Sequence, residues 1–362
     1  MNPKLHILGI QEWYLRSYPM VIGGPCSAEN EKQVLETAEA LSHIPEIGIF
    51  RAGIWKPRTR PAGFEGVGRK GLKWLQRVKD ETGLMTAVEI GQADHVKTCL
   101  DHGIDIIWIG ARTVVNPFSM QEIARALENT GLPVFIKNPV NPDISIWIGA
   151  LERINQAGIN KLVAVHRGFF SPLIKKYRND PMWEIPIDLK RMFPDLPIVC
   201  DPSHISGHHD LVPDIAQRAI DLGVDGLMIE SHIHPEKALT DKEQQITPAQ
   251  FRTLLNHLKF RIPEGDQNFE QELEILREQI DQVDAELIRV IAKRMAIVER
   301  IGRVKQSYSI AAFQVKRWNI VREKFIASGV MSGLDKKFLQ ELLELIHQES
   351  IRIQSKLFSE DE

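Results

Sequence analysis

The stretch PIVCDPSHISGHHDLVPDIAQRAIDLGVDGLMIE, Pro197 to Glu230, decides the fold. It opens on an apolar run, Pro197 to Cys200, crosses a polar loop, continues at helical spacing and returns to a second run, Val224 to Ile229. Short runs of near-continuous hydrophobicity are strands buried on both faces, and a helix between two of them makes the strands parallel. Working outward, the same phrase recurs up to about residue 258. Its other strand runs are Met20 to Gly24, Gly48 to Ala52, Leu84 to Ile90, Ile104 to Gly110, Pro133 to Lys137 and Lys161 to Val165. Eight βα units in about 250 residues predict a (β/α)8 (TIM) barrel, an α/β fold, over residues 1–260. A doubly wound open sheet is the alternative that strand counting leaves open.

Beyond Phe260 the pattern changes. Residues 261–269, with Pro263 and Gly265 among polar neighbours, read as a linker. Residues 270–362 contain no strand-like run and form an all-α, three-helix domain. Leu273, Leu276, Ile280, Val283, Leu287 and Val290, then Ile297, Ile301 and Val304, step by threes and fours. A helix from about Glu270 to Lys305 is roughly 50 Å long. So small a domain cannot cover its seam alone, so an intertwined homodimer is expected. Two further helices are predicted near Val315 to Ser328 and Asp335 to Leu357.

The 362 residues are 43% hydrophobic and 26% charged with a net charge of −3, which argues against disorder and against a polyanion-binding surface, so no nucleic-acid partner is expected. The run ending at Ile106 to Ile109 is far shorter than the roughly 18 residues of a membrane span. Ile7 to Ile10 is too short for a signal segment, so the expected location is cytoplasmic, with no membrane partner. Cys26, Cys99 and Cys200 are scattered and odd in number, which leaves each free for packing or metal chemistry.

In such a barrel the chemistry sits where strands end. Those positions hold Cys26, Arg51, Lys56, Arg58, Glu89, Arg112, Lys137, Arg167, Asp201, His204, Glu230 and, further on, Asp241. So many cations at one mouth imply a small, multiply charged anion: a phosphorylated substrate that also carries a carboxylate. Cys26, His204, Glu230 and Asp241 offer mixed S, N and O donors suited to a divalent ion of the Mn, Fe, Co or Zn class. His208, His209, His232 and His234 lie close by, and composition alone does not choose among the imidazoles.

The motifs GPCSAE (Gly24 to Glu29), RAGIWKPRTRP (Arg51 to Pro61), WIGAR (Trp108 to Arg112), IKNP (Ile136 to Pro139), HRGF (His166 to Phe169), DPSHISG (Asp201 to Gly207) and MIESHIHPEKALTD (Met228 to Asp241) occur in order across residues 20–250. Together they resemble the type I beta 3-deoxy-D-arabino-heptulosonate 7-phosphate synthases, which condense phosphoenolpyruvate with erythrose 4-phosphate. The resemblance implies Cys26, His204, Glu230 and Asp241 as metal ligands. It implies Arg51, Lys56, Arg112, Lys137 and Arg167 as phosphoenolpyruvate ligands, and Arg58 with Thr59 at the erythrose 4-phosphate site. It places Glu89 near the reacting centre and makes Lys56 a candidate proton donor. KPRT separates the chain from the related octulosonate 8-phosphate synthases, which have an asparagine-containing motif there. His-Ile-His-Pro at 232–235 departs from relatives that tend to have proline second. The family often carries an N-terminal regulatory domain, and with a first strand near residue 20 none is expected here.

In the helical half, Arg294 falls where the seam calls for a leucine, and Ser350 and Gln354 break the Leu343, Ile346, Ile353, Leu357 seam of the last helix. A snorkelling arginine would explain one such break, but several polar groups aimed into one apolar bundle ask for an enclosed anion. LREQID with Arg277, AKRM with Arg294, IGRVK with Lys305, QVKRW with Arg317 and QESIRIQ with Ser350 and Gln354 resemble the all-helical chorismate mutases. The resemblance implies conversion of chorismate to prephenate, with Arg277 lent to the partner chain and with Lys305 and Gln354 at the breaking ether bond. Trp318 stands where relatives usually have glutamate, and Gln314 where an acid is common. A bifunctional shikimate-pathway enzyme for aromatic amino acid biosynthesis is thus expected, with the mutase dimer doubling as an allosteric sensor of prephenate. A dimerising sensor without mutase activity is the alternative.

Overall fold

The computed structural model describes residues 4–16, 19–56, 63–172, 176–261 and 267–359. Every predicted strand run is a strand: β1 (Met20–Gly24), β2 (Ile47–Ala52), β3 (Met85–Ile90), β4 (Ile106–Ile109), β5 (Val134–Lys137), β6 (Leu162–His166), β7 (Ile198–Cys200) and β8 (Gly226–Glu230). They pair in parallel in chain order, and β8 returns to β1 with Met20 opposite Gly226 and Gly24 opposite Glu230, so the sheet is closed. Closure removes the open-sheet alternative.

Two apolar layers follow from strand alternation. Inside the barrel, Met20, Ile22, Ile49, Trp108, Phe135, Val163 and Met228 pack together with Ile10 and Tyr14. Ile10 opens the short N-terminal helix Ile10–Trp13 and Tyr14 follows it as its C-cap, a segment to which no role is assigned from the sequence. Leu8 N–H donates to the Asn160 carbonyl, 2.9 Å, which ties this segment to the chain just before β6. Outside, the opposite faces of the strands meet the apolar stripes of the surrounding helices, such as Leu72, Leu75 and Val78 of Lys70–Thr82. Burying each such side chain contributes about 1.5–3 kcal/mol.

The chain divides into two compact units, Met1–Pro263 and Glu264–Glu362. The second holds three helices, Gln267–Ser307, Val315–Met331 and Lys336–Ser359; the first two are a few residues longer than their periodicity predicts, and the third starts one residue later and ends two later. Gln306 Nε2 donates to the Leu357 carbonyl, 3.0 Å, between first and third helices, and Trp318 stacks on His347 at 3.8 Å between second and third. Val298, Leu339 and Leu343 are buried within the unit, whereas Ile280, Val283, Leu287 and Val290 stay more than half exposed. Among the described residues, the other two helices of the unit leave this part of the long seam uncovered. No helix among the described residues is long and apolar enough to cross a membrane.

Candidate active sites

At the end of β1, Gly24 has φ +146°, and a side chain there would run into the Arg51 carbonyl at 2.1 Å. Only glycine lets the ends of β1 and β2 approach so closely, and this brings Cys26 over the end of β8. The Cys26 sulfur lies 3.3 Å from Asp241 Oδ2, and ligand atoms of Cys26, Glu230 and Asp241 all fall within 4.8 Å of one another. Glu230 is held on both oxygens: Arg51 NH1 donates to Oε1 at 2.7 Å and Gln244 Nε2 to Oε2 at 2.7 Å. Asp241 sits in the left-handed region, φ 48°, and accepts from Arg178 NH1 at 3.0 Å.

His204 stands at the edge of this group, outside the three residues whose ligand atoms lie within 4.8 Å of one another. Its Nδ1 lies 2.8 Å from Asp201 Oδ2, which orients the ring so that Nε2 faces Glu230 Oε1 at 3.8 Å. A carboxylate behind an imidazole is the usual support of a metal-binding histidine. Asp201 also accepts from Lys137 Nζ at 2.8 Å. Burial works against its charge, but His204 and Lys137 hold the carboxyl well below the usual carboxylate range.

The electrostatics test whether these residues fit a cation. Burial, then the Glu230 charge, push the Cys26 thiol up to about 12 although Lys56 pulls it down. Glu230 and Asp241 are depressed despite burial, first by His204, with Arg51 and Arg178 adding to the effect. Two carboxylates, Glu230 buried and Asp241 partly so, thus stay charged beside a thiol that burial keeps protonated at neutral pH. A divalent ion in their midst would take the place of the thiol proton, so the donor set fits one.

Next to these ligands lies a cavity of about 280 Å³ at the C-terminal end of the barrel. Lys56, Arg112, Lys137, Arg167 and Arg178 line it, against the carboxylates of Glu89 and Asp241. Lys56 Nζ donates to the Cys26 sulfur at 3.2 Å; burial lowers its pKa, but Cys26 and Glu89 outweigh that and keep it raised. Arg167 NH1 donates to Asn179 Oδ1 at 2.7 Å, and burial draws its guanidinium down to about 10.

The structure brings Lys56, Glu89, Arg112, Lys137, Arg167, His204 and Asp241 to this lining, with Cys26 and Glu230 buried behind it. Arg51 differs from the sequence expectation. It is 1% exposed, paired to Glu230, stacked over the Trp108 ring at 4.6 Å and absent from the lining, because β2 alternation turns it inward. Arg58 and Thr59 lie outside the described residues. Of the alternative imidazoles, His208, His209 and His234 are on the surface, and buried His232 faces Glu29 at 3.9 Å. Sequence reasoning missed Arg178, Asn179 and Gln244, which follow no strand end directly.

In the helical unit a second cavity, about 360 Å³, is lined by Arg294, Lys305, Arg317, Ser350 and Gln354, with Val298, Phe313, Trp318 and His347 among its walls. Arg294 NH1 donates to Ser350 Oγ at 2.7 Å, Lys305 Nζ donates to the Ala312 carbonyl, and the Gln354 side-chain oxygen is buried with no hydrogen bond among the described residues. Its ionisable lining groups are all basic, with no carboxylate among them. Burial lowers the pKa of both Arg294 and Lys305. Arg277 is absent from the lining: it is exposed, 3.5 Å from Glu274, and 17 residues before Arg294, about 25 Å along the helix.

The family model described as DAHP synthetase I family matches residues 16–262, and that described as chorismate mutase type II matches residues 276–355. The phospho-2-dehydro-3-deoxyheptonate aldolase of Thermotoga maritima is 33% identical over 242 residues, covering 67% of this chain and 69% of that protein. A 2-dehydro-3-deoxyphosphooctonate aldolase of Desulfotalea psychrophila is 29% identical, covering 66% and 88%. The crystal structure of the Thermotoga maritima DAHP synthase superposes with a TM-score of 0.61 at 29% identity, covering 71% of this chain and 76% of that one. With a closed barrel whose strand ends converge on a thiol, two carboxylates and a ring of cations, this chain belongs to the DAHP synthetase I family and carries, after the barrel in sequence, a helical unit that matches chorismate mutase type II.

Proposed function

We propose that this bifunctional enzyme condenses phosphoenolpyruvate with erythrose 4-phosphate in the barrel cavity and rearranges chorismate to prephenate in the helical one. Residues 1–260 serve the first reaction, 270–362 the second, and 261–269 join them; residues 262–266 of that linker lie outside the described residues. One observation carries the first assignment: a sulfur and two carboxylates within 4.8 Å of one another beside a cavity with five cationic side chains.

Arg112, Lys137 and Arg167 hold the phosphate and carboxylate of phosphoenolpyruvate, so that positioning supplies much of the rate. Lys56, an ammonium beside Cys26 and Glu89, holds a proton where the two substrates meet. Cys26, His204, Glu230 and Asp241 hold the divalent ion, of the Mn, Fe, Co or Zn class. When bound, it supplies Lewis acidity toward the aldehyde oxygen. Arg51 and Gln244 keep Glu230 charged and aimed, and Asp201 does the same for His204.

The mutase reaction is unimolecular and uses no nucleophile. Arg294 and Arg317 hold carboxylates, with Ser350 fixing Arg294. Lys305 and Gln354 stabilise the negative charge that grows on the ether oxygen. Arg277, too distant to serve its own cavity, reaches that of a second copy across the exposed seam, which makes the working form a homodimer. Prephenate bound there acts back on the synthase. No observation favours a sensor without mutase activity.

Assaying one preparation for loss of phosphoenolpyruvate with erythrose 4-phosphate, and separately for loss of chorismate, tests the reading. Arg294→Ala is expected to lower chorismate turnover by about a hundredfold or more and leave synthase rate unchanged. A chain inert toward chorismate at the outset would contradict the second half. Synthase rate unaltered by added prephenate would remove the feedback.

A further inference from the structure

Arg178 and Asn179 sit between three functional loops without belonging to any strand end. Asn179 Oδ1 accepts from Arg167 NH1 at 2.7 Å, and the other end of the same amide, Nδ2, donates to the His204 carbonyl at 2.6 Å. The backbone does the same in parallel: Asn179 N–H donates to the Ile205 carbonyl at 3.1 Å and Arg178 N–H to the Ser206 carbonyl at 3.2 Å. The next residue, Asp180, exchanges two 2.7 Å backbone hydrogen bonds with Phe169, beyond Arg167. Arg178 then reaches on to Asp241 Oδ1 at 3.0 Å and Gln244 Oε1 at 2.7 Å.

Close approach on both sides has been built in. Gly168 and Gly207 adopt φ of +74° and +70°, and a side chain at either would collide with Asn179 at 2.9 Å or Arg178 at 2.5 Å. Asn179 is 6% exposed, so the two hydrogen bonds of its amide are made without competition from water.

We propose that Asn179 is a positioning residue that fixes the phosphate-binding guanidinium of Arg167 and the metal-binding segment at His204 through one amide. Arg178 extends the same strap to Asp241. This rests on the reading of Arg167 and His204 given above. A rigid bridge of this kind sets both affinities even when only one ligand is present, which distinguishes it from attraction between bound ligands. Replacing the amide removes a hydrogen bond to a charged group on one side and the hold on a loop backbone on the other, an effect of about tenfold per ligand.

The experiment uses the full chain after chelation. It is titrated calorimetrically with Mn2+ in the absence of phosphoenolpyruvate, and with phosphoenolpyruvate in the absence of metal. Asn179→Ala is expected to weaken both by about tenfold, while KM for erythrose 4-phosphate and the chorismate rate of the helical unit stay at the parent values. Asn179→Leu, which fills a similar volume without polar atoms, is expected to behave alike and serves where the alanine variant folds poorly. Arg167→Ala is expected to weaken phosphoenolpyruvate alone, and His204→Ala Mn2+ alone. If either Asn179 variant folds and retains parental affinity for one of the two ligands, the bridge is overturned. If Arg167→Ala leaves phosphoenolpyruvate binding intact, the assignment of that arginine fails first and the bridge with it.

Discussion

Arg51 and Glu230 form an ion pair of 2.7 Å with both side chains almost fully buried. His204 and then Arg51 keep Glu230 charged at a depth where a lone carboxylate would take up a proton, and the Trp108 ring packs under the guanidinium. Removing one member of such a pair costs about 3–5 kcal/mol, because the other stays buried and unpaired. Arg51→Met is therefore expected to lower the unfolding free energy of the barrel by about that amount, read from its denaturant midpoint. Chorismate turnover by the helical unit should not change.

His166 gives the barrel an acid limb. Its ring is fully buried, and burial drives it down from 6.5 to about 3. Between those values the unfolded chain binds a proton that the folded chain refuses. Stability contributed by the neutral ring is complete above 6.5 and falls as the pH drops toward 3, at about 1.4 kcal/mol per pH unit. Urea unfolding at about pH 6 and about pH 5 checks this. The parent should lose more stability over that step than His166→Gln, and equal losses would show that another group carries the limb.

Leu287 is 54% exposed and Val283 62% exposed on the long helix, in line with Ile280 at 60%. If a second copy covers them, Leu287→Glu places a charge inside that interface. Sedimentation should then show monomers, with chorismate turnover falling because each cavity loses the Arg277 of its neighbour. A dimer that persists with full mutase rate would argue against the seam as the contact.

Legibility followed chain periodicity. Strand runs and helical seams are local signals, so all eight strands and three C-terminal helices could be read directly. Residues at strand ends, such as Lys137 and Arg167, could be placed by the rule that barrel chemistry sits there. Arg51 obeyed that rule in sequence but not in direction, since its register on β2 turns it to Glu230. Arg178 and Asn179 were invisible because their importance comes from contacts with residues 204–206, 241 and 244, none of them local. Trp318 and His347 stack across two helices, a pairing that no spacing within either helix announces.

The central claim is that Cys26, His204, Glu230 and Asp241 bind one divalent ion on which synthesis depends. Adding Co2+ to chelated protein while recording the near-ultraviolet spectrum tests it most directly. A thiolate-to-metal charge-transfer band should rise to one equivalent in step with the return of phosphoenolpyruvate consumption, and Cys26→Ala should show neither. Full synthase activity in the chelated protein, or a band that persists in Cys26→Ala, would contradict the account.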